Sequence, residues 1–209
     1  MASRPRLRVV AREGEAHPSD EELVDGLLAG EAWASTAAWN KHAPMVFRFL
    51  HRSLGPQGEV EDLTQEVFLR VFTKVRGLRD RGALRSFVFS VAVRTLKWEL
   101  RRRRVRRILQ LSDFDELPEL AVEALDAESR QALQRFYVIL DQLSAEERAA
   151  FVLRHLEGMK LEEVSAALGV SLATVKRRID RASGIVSRCA DRDPSLAPYS
   201  MKKGEDHGV

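Results

Sequence analysis

Apolar residues recur every three to four positions through nearly every segment between residues 19 and 186 of this 209-residue chain. That spacing is typical of α-helices with one buried face, and no segment alternates apolar and polar residues convincingly, as a half-buried strand does. Two helix starts carry a capping box, SDEE at 19–22 and SAEE at 144–147, in which Ser19 or Ser144 accepts from an early amide group and a glutamate reaches back. The pattern predicts an all-α fold.

The periodicity weakens at two places, which divide the chain. Between residues 108 and 128 Pro118 interrupts an acidic stretch, and after residue 187 the chain has two prolines and few apolar residues. Such composition is typical of linkers and disordered tails. We therefore expect two small helical domains joined by an acidic linker: a disordered N-terminal extension at 1–18, a first domain at 19–107, the linker at 108–128, a second domain with a helix-turn-helix at 129–187 and a flexible tail at 188–209.

The charged residues are segregated along the chain, although the net charge of the whole protein is only +3. Residues 76–107 contain twelve lysines and arginines and two acidic residues, whereas residues 113–128 contain seven acidic residues and neither lysine nor arginine. Like charges at that density repel one another unless a counter-charge is present. The basic segment therefore indicates binding to nucleic acid. The alternative is a solvated basic face without a ligand.

The basic segment is predicted to form a helix from about residue 86 to residue 107 with two different faces. Its apolar face, predicted to be buried, comprises Phe89, Ala92, Val93, Leu96 and Leu100. Its opposite face carries a cationic stripe of Arg94, Lys97, Arg101 and Arg104, bordered by Phe87, Val91 and Trp98. Aromatic rings beside a cationic track suit single-stranded nucleic acid, because bases stack on the rings. The alternative is that Phe87 and Trp98 only pack on a neighbouring helix.

The preceding helix, which begins near Asp62, also has two faces. Its predicted buried residues are Val67, Phe68, Val71, Phe72 and Val75. Its outward residues are Asp62, Gln65, Glu66, Leu69 and Thr73. An apolar residue ringed by polar ones, such as Leu69, can form a small docking patch for a protein. The pattern alone favours the alternative, an ordinary polar face with one exposed leucine.

Residues 161–186, LEEVSAALGVSLATVKRRIDRASGIV, have the pattern of a helix-turn-helix, with Gly169 at the turn and Ser171 as N-cap of the second helix. The predicted buried residues of that second helix are Val175, Ile179, Ala182 and Val186. The predicted outward residues are Ala173, Arg177, Asp180 and Arg181, flanked by Lys176 and Arg178. Arginine and lysine donate to guanine or phosphate and aspartate accepts from cytosine, so this face suits the major groove of DNA. A structural three-helix unit without a ligand is the alternative.

Taken in order, these motifs resemble one protein family. The chain resembles the second and fourth regions of bacterial sigma factors in DEELVDGLLAGEAWASTAAWNKHAPMVFRFLHRSLG, VEDLTQEVFLRVFTKV, LRSFVFSVAVRTLKWELRRRR and LSAEERAAFVLRHLEGMKLEEVSAALGVSLATVKRRIDRAS. The sequence leaves no room for the family's first and third regions, so the resemblance is to the extracytoplasmic-function (ECF) group. It covers roughly residues 19–186. It implies a transcription initiation factor that binds core RNA polymerase, at the beta-prime clamp and the beta flap, and directs it to particular promoter DNA.

The resemblance also implies a role for each surface. Asp62, Gln65 and Glu66 match the family's Asp-x-x-Gln-Glu motif, which docks on the beta-prime clamp, and Leu69 lies beside them. The residues implied in opening the minus-ten element are Arg79, Arg81, Arg85, Phe87, Arg94, Lys97, Trp98, Arg101 and Arg104. Those implied at the minus-thirty-five element are Ser171, Ala173, Thr174, Lys176, Arg177, Asp180 and Arg181. The acidic linker matches the segment that threads through the RNA exit path.

Two residues depart from the family's pattern. The family usually has tryptophan at the Phe87 position and asparagine at the Arg94 position. Phenylalanine keeps an aromatic face, but Arg94 cannot accept a hydrogen bond, so we expect an unusual minus-ten preference.

Other protein classes are disfavoured. The five histidines are dispersed, Cys189 is the single cysteine, and the chain has no HExxH motif, nucleophile elbow or phosphate-binding glycine loop. We therefore expect no catalysis, no metal site and no cofactor. The chain also lacks a run of eighteen apolar residues and a secretory signal, which favours the cytoplasm without membrane insertion, and the nucleoid when polymerase is bound.

Two further points concern partners. Many members of the ECF group are held inactive by an anti-sigma protein, which is therefore a candidate partner. The rival hypothesis is a helix-turn-helix regulator that binds DNA without polymerase. That hypothesis predicts dimerisation and duplex binding by the isolated protein, whereas a sigma factor binds promoters little until core polymerase is added.

Overall fold

The structure, a computed structural model, describes residues 18–55, 59–109 and 126–199. These residues form eight α-helices and no strand, as the sequence predicted. The helices are α1 (Asp20–Ala29), α2 (Ala32–Leu54), α3 (Val60–Lys74), α4 (Leu84–Leu109), α5 (Ala127–Leu140), α6 (Ala145–Phe151), α7 (Leu161–Leu168) and α8 (Leu172–Ala190). Short 3₁₀ segments lie at Val75–Gly77, Arg81–Ala83 and Pro194–Tyr199, and a π-helical turn at Val152–Leu156 follows α6.

Both predicted capping boxes are present. The Ser19 hydroxyl accepts from the Glu22 amide (3.2 Å), while the Ser19 amide donates to the Glu22 carboxylate (2.8 Å). The same reciprocal pair joins Ser144 and Glu147 at the start of α6. Helix α1 ends at Gly30, whose φ of 76° lies in the left-handed region that favours glycine. These short helices therefore begin and end where their local sequence dictates.

The first four helices surround an apolar core. Each helix contributes a buried row: Leu23 and Val24 from α1, Val46, Phe49 and Leu50 from α2, Val67, Phe68 and Val71 from α3, and Phe89, Ala92 and Leu96 from α4. The rings of Phe49 and Phe89 meet edge to face, with centroids 6.0 Å apart. Burial of these rows fixes which sides of α3 and α4 face outward.

The last four helices pack around a second set of buried residues, Leu140, Ala149, Phe151, Val164, Val175, Ile179 and Ala182. Gly169, with φ 64°, ends α7 and turns the chain into α8. Its amide donates to the Ser165 carbonyl (2.9 Å), and the Ser171 hydroxyl accepts from the Thr174 amide (3.3 Å). The predicted turn and the predicted N-cap of α8 are therefore both confirmed.

The two groups of helices are in direct contact. The side chain of Arg148, on α6, is almost fully buried and donates to the Ser53 carbonyl near the end of α2 (3.2 Å). Arg52 of α2 pairs with Glu157, which follows the π-helical turn (3.0 Å). Helix α4 packs against α6 and α7 as well as against α2 and α3. The two groups consequently share one continuous apolar core.

This double packing buries more of α4 than its periodicity predicted. Val91 was predicted to border the cationic stripe but is buried, as are Val88 and Thr95. Leu100 and Phe72 were predicted to be buried but are only partly so. A single amphipathic period describes contact with one partner surface, whereas α4 has two.

The start of the predicted flexible tail is helical instead. Helix α8 continues to Ala190, and residues 194–199 form a 3₁₀ segment whose Leu196 is buried. Asp193 accepts from the Ser195 amide (3.1 Å) and pairs with Arg135 of α5 (3.7 Å). The 3₁₀ segment packs against α5 and α8, although the overall composition of residues 188–199 is polar.

The flanks of the predicted linker are also helical. Helix α4 runs to Leu109, and α5 begins at Ala127, where the Asp126 carboxylate accepts from the Ser129 amide (2.7 Å). Aspartate is a favoured N-cap, so the last acidic residues of the predicted linker belong to α5. The predicted extension up to residue 17, the linker at 110–125 and the tail at 200–209 lie outside the described residues. Within the described part, no helix is both long and apolar enough to cross a membrane.

We expect Gly26→Ala to lower the free energy of unfolding by about 1–3 kcal/mol, the usual cost of overpacking. A Cβ at Gly26 would lie 2.7 Å from the Ala34 Cβ and 2.8 Å from the Trp33 ring, where α1 meets α2. Gly77→Ala is the matched control, because nothing lies within 4 Å of a Cβ built there. Urea unfolding measures both variants, and equal effects would contradict the close approach of α1 and α2.

Candidate nucleic-acid interface

The predicted cationic stripe runs along one side of α4. Arg94, Arg101 and Arg104 are exposed, and Lys97 between them is partly exposed. The intervals of three, four and three residues keep these side chains on one side of the helix over about 15 Å. A row of cations at this spacing can follow the backbone of a nucleic-acid strand.

A buried carboxylate supports the basic helix from within. Glu99 is 3% exposed and accepts from Arg102 (2.7 Å) and Arg103 (2.8 Å), about one turn further along α4. Burial alone would raise the pKa of Glu99, but the hydrogen bonds and positive charges of the two guanidinium groups outweigh it and lower the pKa. Glu99 therefore remains ionised and holds both arginines in place.

Trp98 and Phe87, the two predicted stacking residues, differ in exposure. Trp98 is 48% exposed, and the Arg102 guanidinium lies 5.2 Å from the centre of its ring, within the range of a cation–π contact. Phe87 is only partly exposed and packs against the apolar core. The alternative to base stacking, that the ring only packs on a neighbouring helix, therefore describes Phe87 better than Trp98.

The remaining cations of the predicted minus-ten set do not join the stripe. Arg79 and Arg81 are exposed in the connection between α3 and α4, and Arg81 pairs with Asp25 of α1. Arg85 lies nine residues before Arg94, which places it on the opposite side of α4. There its side chain pairs with Glu163 of α7.

The predicted reading face of α8 is turned to solvent. Its exposed residues are Ser171, Ala173, Lys176, Arg177, Asp180 and Arg181, with Thr174 partly exposed. The side chain of Arg181 is 75% exposed and pairs with Glu147 of α6 (3.1 Å). Val175 and Ala182, on the opposite side of α8, are fully buried. A helix that is packed on one side and cationic on the other has the form required for insertion into a major groove.

Two adjacent glutamates of α6 form ion pairs, one with a cation of α4 and the other with a cation of α8. Glu146 pairs with Lys97 of α4 (2.5 Å), and this hydrogen bond lowers the pKa of Glu146. Burial would raise the pKa of Glu147, but hydrogen bonds from Ser144 and the charge of Arg181 lower it. Sequence reasoning assigned Glu147 only to a capping box and missed Glu146 and Glu163, because their partners lie far away along the chain.

The predicted docking residues of α3 share one face. Asp62 and Gln65 are exposed, and Glu66 is partly exposed and pairs with Arg70 (2.5 Å). Leu69 is 68% exposed, a high value for a leucine in the middle of a helix. The structure therefore brings these residues together around one apolar side chain.

Two family models match the chain in separate stretches. The model of sigma-70 region 2 matches residues 32–106, and the model of sigma-70 region 4 matches residues 133–183. Among curated relatives, the ECF RNA polymerase sigma factor SigE of Mycolicibacterium smegmatis is 36% identical over 172 residues, which cover 78% of this chain and 66% of the relative. SigL of Mycobacterium tuberculosis is 30% identical over 159 residues, which cover 75% of this chain and 88% of the relative. The chain belongs to the ECF RNA polymerase sigma factors.

The fold of this sigma factor agrees with its family. A solved structure of CnrH in complex with the cytosolic domain of CnrY matches with a TM-score of 0.60 at 21% identity, covering 83% of this chain and 98% of the matched chain. As a sigma factor, the protein acts with RNA polymerase to start transcription at promoters. A regulator that works without polymerase is not favoured, because the region 2 match covers helices that lie outside the helix-turn-helix.

We expect Glu99→Gln to lower the free energy of unfolding of this sigma factor by about 1–3 kcal/mol at neutral pH, because two partly buried hydrogen bonds lose their charge assistance. A carboxyl group whose pKa is lowered by folding stabilises the protein above its unfolded pKa, and this stabilisation is lost as pH falls through the folded pKa. The difference between wild type and variant should therefore be full at neutral pH and shrink below the ordinary value of 4.5.

Urea unfolding at neutral and acidic pH measures this difference. Glu128→Gln, at an exposed position on α5, serves as the control. A loss of stability that does not change with pH, or one equal to that of the control, would contradict the role given to Glu99.

Proposed function

We propose that this sigma factor binds promoter DNA with two surfaces, opened minus-ten DNA with α4 and duplex minus-thirty-five DNA with α8, while α3 docks on the polymerase. The observation that carries the proposal is the presence of two exposed cationic faces, one beside an exposed tryptophan and the other on a helix-turn-helix. The first surface belongs to the domain at 19–107 and the second to the domain at 129–187. The acidic linker between them would run through the RNA exit path.

On α4 the proposed contacts are of two kinds. The cations of the stripe bind phosphates, and Trp98 stacks on a base. Flipping a base out of the duplex costs a few kcal/mol, which stacking and phosphate contacts together must offset. Arg79, Arg81 and Arg85 would hold the strand where it enters, beside Phe87. Arg94 offers only hydrogen-bond donors, so at this position guanine or a phosphate is the expected partner.

On α8 the proposed base contacts come from Arg177, Asp180 and Arg181. Arginine donates to the O6 and N7 atoms of guanine, and aspartate accepts from the N4 amino group of cytosine. Ser171, Thr174 and Lys176, nearer the start of the helix, would bind phosphates and fix its register. The small side chain of Ala173 permits close approach to the base edges.

The proposed polymerase contact is the α3 face of Asp62, Gln65, Glu66 and Leu69, bound to the beta-prime clamp. Leu69 supplies an apolar centre and the other three a polar rim, the arrangement typical of protein interfaces. The last helices would contact the beta flap. An anti-sigma protein is a further proposed partner, because many ECF sigma factors are held inactive by one. The proposed location is the cytoplasm, and the proposed function needs neither a cofactor nor catalysis.

The double substitution Arg177→Ala with Arg181→Ala should abolish recognition of the upstream element while leaving polymerase binding intact. Each lost bidentate contact to guanine is worth about 1–3 kcal/mol of discrimination. Transcription on templates that the wild-type holoenzyme uses, with intact and scrambled upstream elements, measures the effect. Arg188→Ala with Arg192→Ala removes the same charge from exposed positions further along and is the control. Unchanged promoter selectivity in the first variant would remove both arginines from the proposed contacts.

Gln65→Ala with Glu66→Ala should weaken association with core polymerase, because two of the three polar side chains of the α3 face are lost while the buried side of the helix is unaltered. Co-purification of tagged protein with core polymerase gives the readout. Gln131→Ala with Glu128→Ala makes the same chemical change at exposed positions of α5 and should have no effect. Co-purification of the α3 variant at the wild-type level would count against the docking face.

A further inference from the structure

Glu147 of α6 uses its two carboxylate oxygens for different partners. Oε2 accepts from the amide (3.0 Å) and the hydroxyl (2.7 Å) of Ser144, which closes the capping box of α6. Oε1 lies 3.1 Å from the Nε atom of Arg181, on the outward face of α8. The capping box therefore accounts for only one oxygen, and the other contacts a residue of the proposed minus-thirty-five surface.

The Glu147 carboxylate is a fixed negative charge beside α8. Its side chain is only 13% exposed, and the hydrogen bonds from Ser144 tie it to the start of α6, a helix that packs directly on α8. Burial would raise the pKa of Glu147, but the hydrogen bonds from Ser144 and the charges of Arg181 and Arg178 outweigh it and lower the pKa. The position of this ionised group is thus set by the backbone of α6.

The Arg181 guanidinium is held at one edge while the rest of the side chain is open to solvent. The side chain is 75% exposed, and its ion pair with Glu147 is made through Nε. A guanidinium group has five N–H donors in one plane, of which Nε carries one and the two Nη atoms carry four. The contact with Glu147 therefore leaves the Nη groups for a ligand, and a pair of such donors matches the O6 and N7 atoms of guanine.

Arg177, the other arginine proposed to contact the upstream element, lacks this support. It is exposed one turn earlier on α8, and among the residues that the structure describes no acidic group pairs with it. A long side chain loses rotamer freedom when it binds a ligand, and the cost is smaller where the bound orientation is already held. The two arginines therefore differ in how far they are ordered before DNA arrives.

We propose that Glu147 is a positioning residue for recognition of the upstream element: it holds Arg181 by Nε so that the Nη groups donate to a single guanine. This inference rests on the proposed function of Arg181 at the minus-thirty-five element. A freely rotating guanidinium can donate to phosphates and bases of several kinds, whereas a held one suits one pair of acceptors. Because a carboxylate beside DNA repels phosphates, Glu147 contributes selectivity without adding attraction.

The test follows transcription by the holoenzyme, formed from the full chain and core polymerase, on a template that the wild type uses, with its upstream element intact or scrambled. The ratio of the two transcript yields measures discrimination. Glu147→Gln keeps the capping box, because the glutamine oxygen can accept from the Ser144 amide, but presents Arg181 with an amino group that only donates. Glu146→Gln is the matched control, since it removes the same charge from the preceding position, which pairs with Lys97 of α4 (2.5 Å).

Glu147→Gln should lower the discrimination ratio about two- to tenfold relative to Glu146→Gln, the range expected from the cost of ordering one long side chain. It should have no further effect in an Arg181→Ala background and should keep its full effect in an Arg177→Ala background. An equal effect in both backgrounds, as weaker folding would produce, or a ratio equal to that of the control, would overturn the proposal. An Arg181→Ala variant that discriminates as well as the wild type would contradict the proposed function of that residue, and this inference with it.

Discussion

Helix α4 carries a dense row of cations that repel one another, while its apolar side remains buried. The rest of the structure depends on how this repulsion is balanced. The buried carboxylate of Glu99, on the same helix, accepts hydrogen bonds from two arginines. Glu146 and Glu163 hold two further cations from neighbouring helices. Because these acidic residues lie directly beside cations of α4, the helix can keep a positive face without being forced apart by it.

The cations of α4 differ in whether an acidic residue holds them. This difference separates the cations with a structural role from those with a proposed function. Arg102 and Arg103 are committed to Glu99, whereas Arg94, Arg101 and Arg104 remain exposed toward solvent. The first group maintains the helix and the second can receive a ligand. The same division occurs on α8, where one side packs into the core and the other displays cations. Both surfaces therefore combine a rigid backbone with charges that can exchange partners.

The sequence predicted the features that short stretches of chain determine. The capping boxes at Ser19 and Ser144, the turn at Gly169 and the buried rows of α3 and α8 follow from local spacing, and the structure agrees with them. Three features depend on residues far away in the chain, which no local pattern reveals: the burial of Val91, the ion pairs made by Glu146 and Glu163, and the burial of Leu196. The structure exposes most of the predicted site residues, but their contacts with DNA and polymerase stay predictions.

Family membership gives the proposed surfaces a common purpose, because a sigma factor acts together with polymerase at promoters.

The central claim is that this chain directs polymerase to particular promoters. Run-off transcription from fragmented genomic DNA, with core RNA polymerase in the presence and absence of the purified protein, tests it most directly. The account predicts transcripts that depend on the protein and whose start sites share one two-part motif upstream. Transcripts that are identical with and without the protein, or start sites that share no motif, would contradict it.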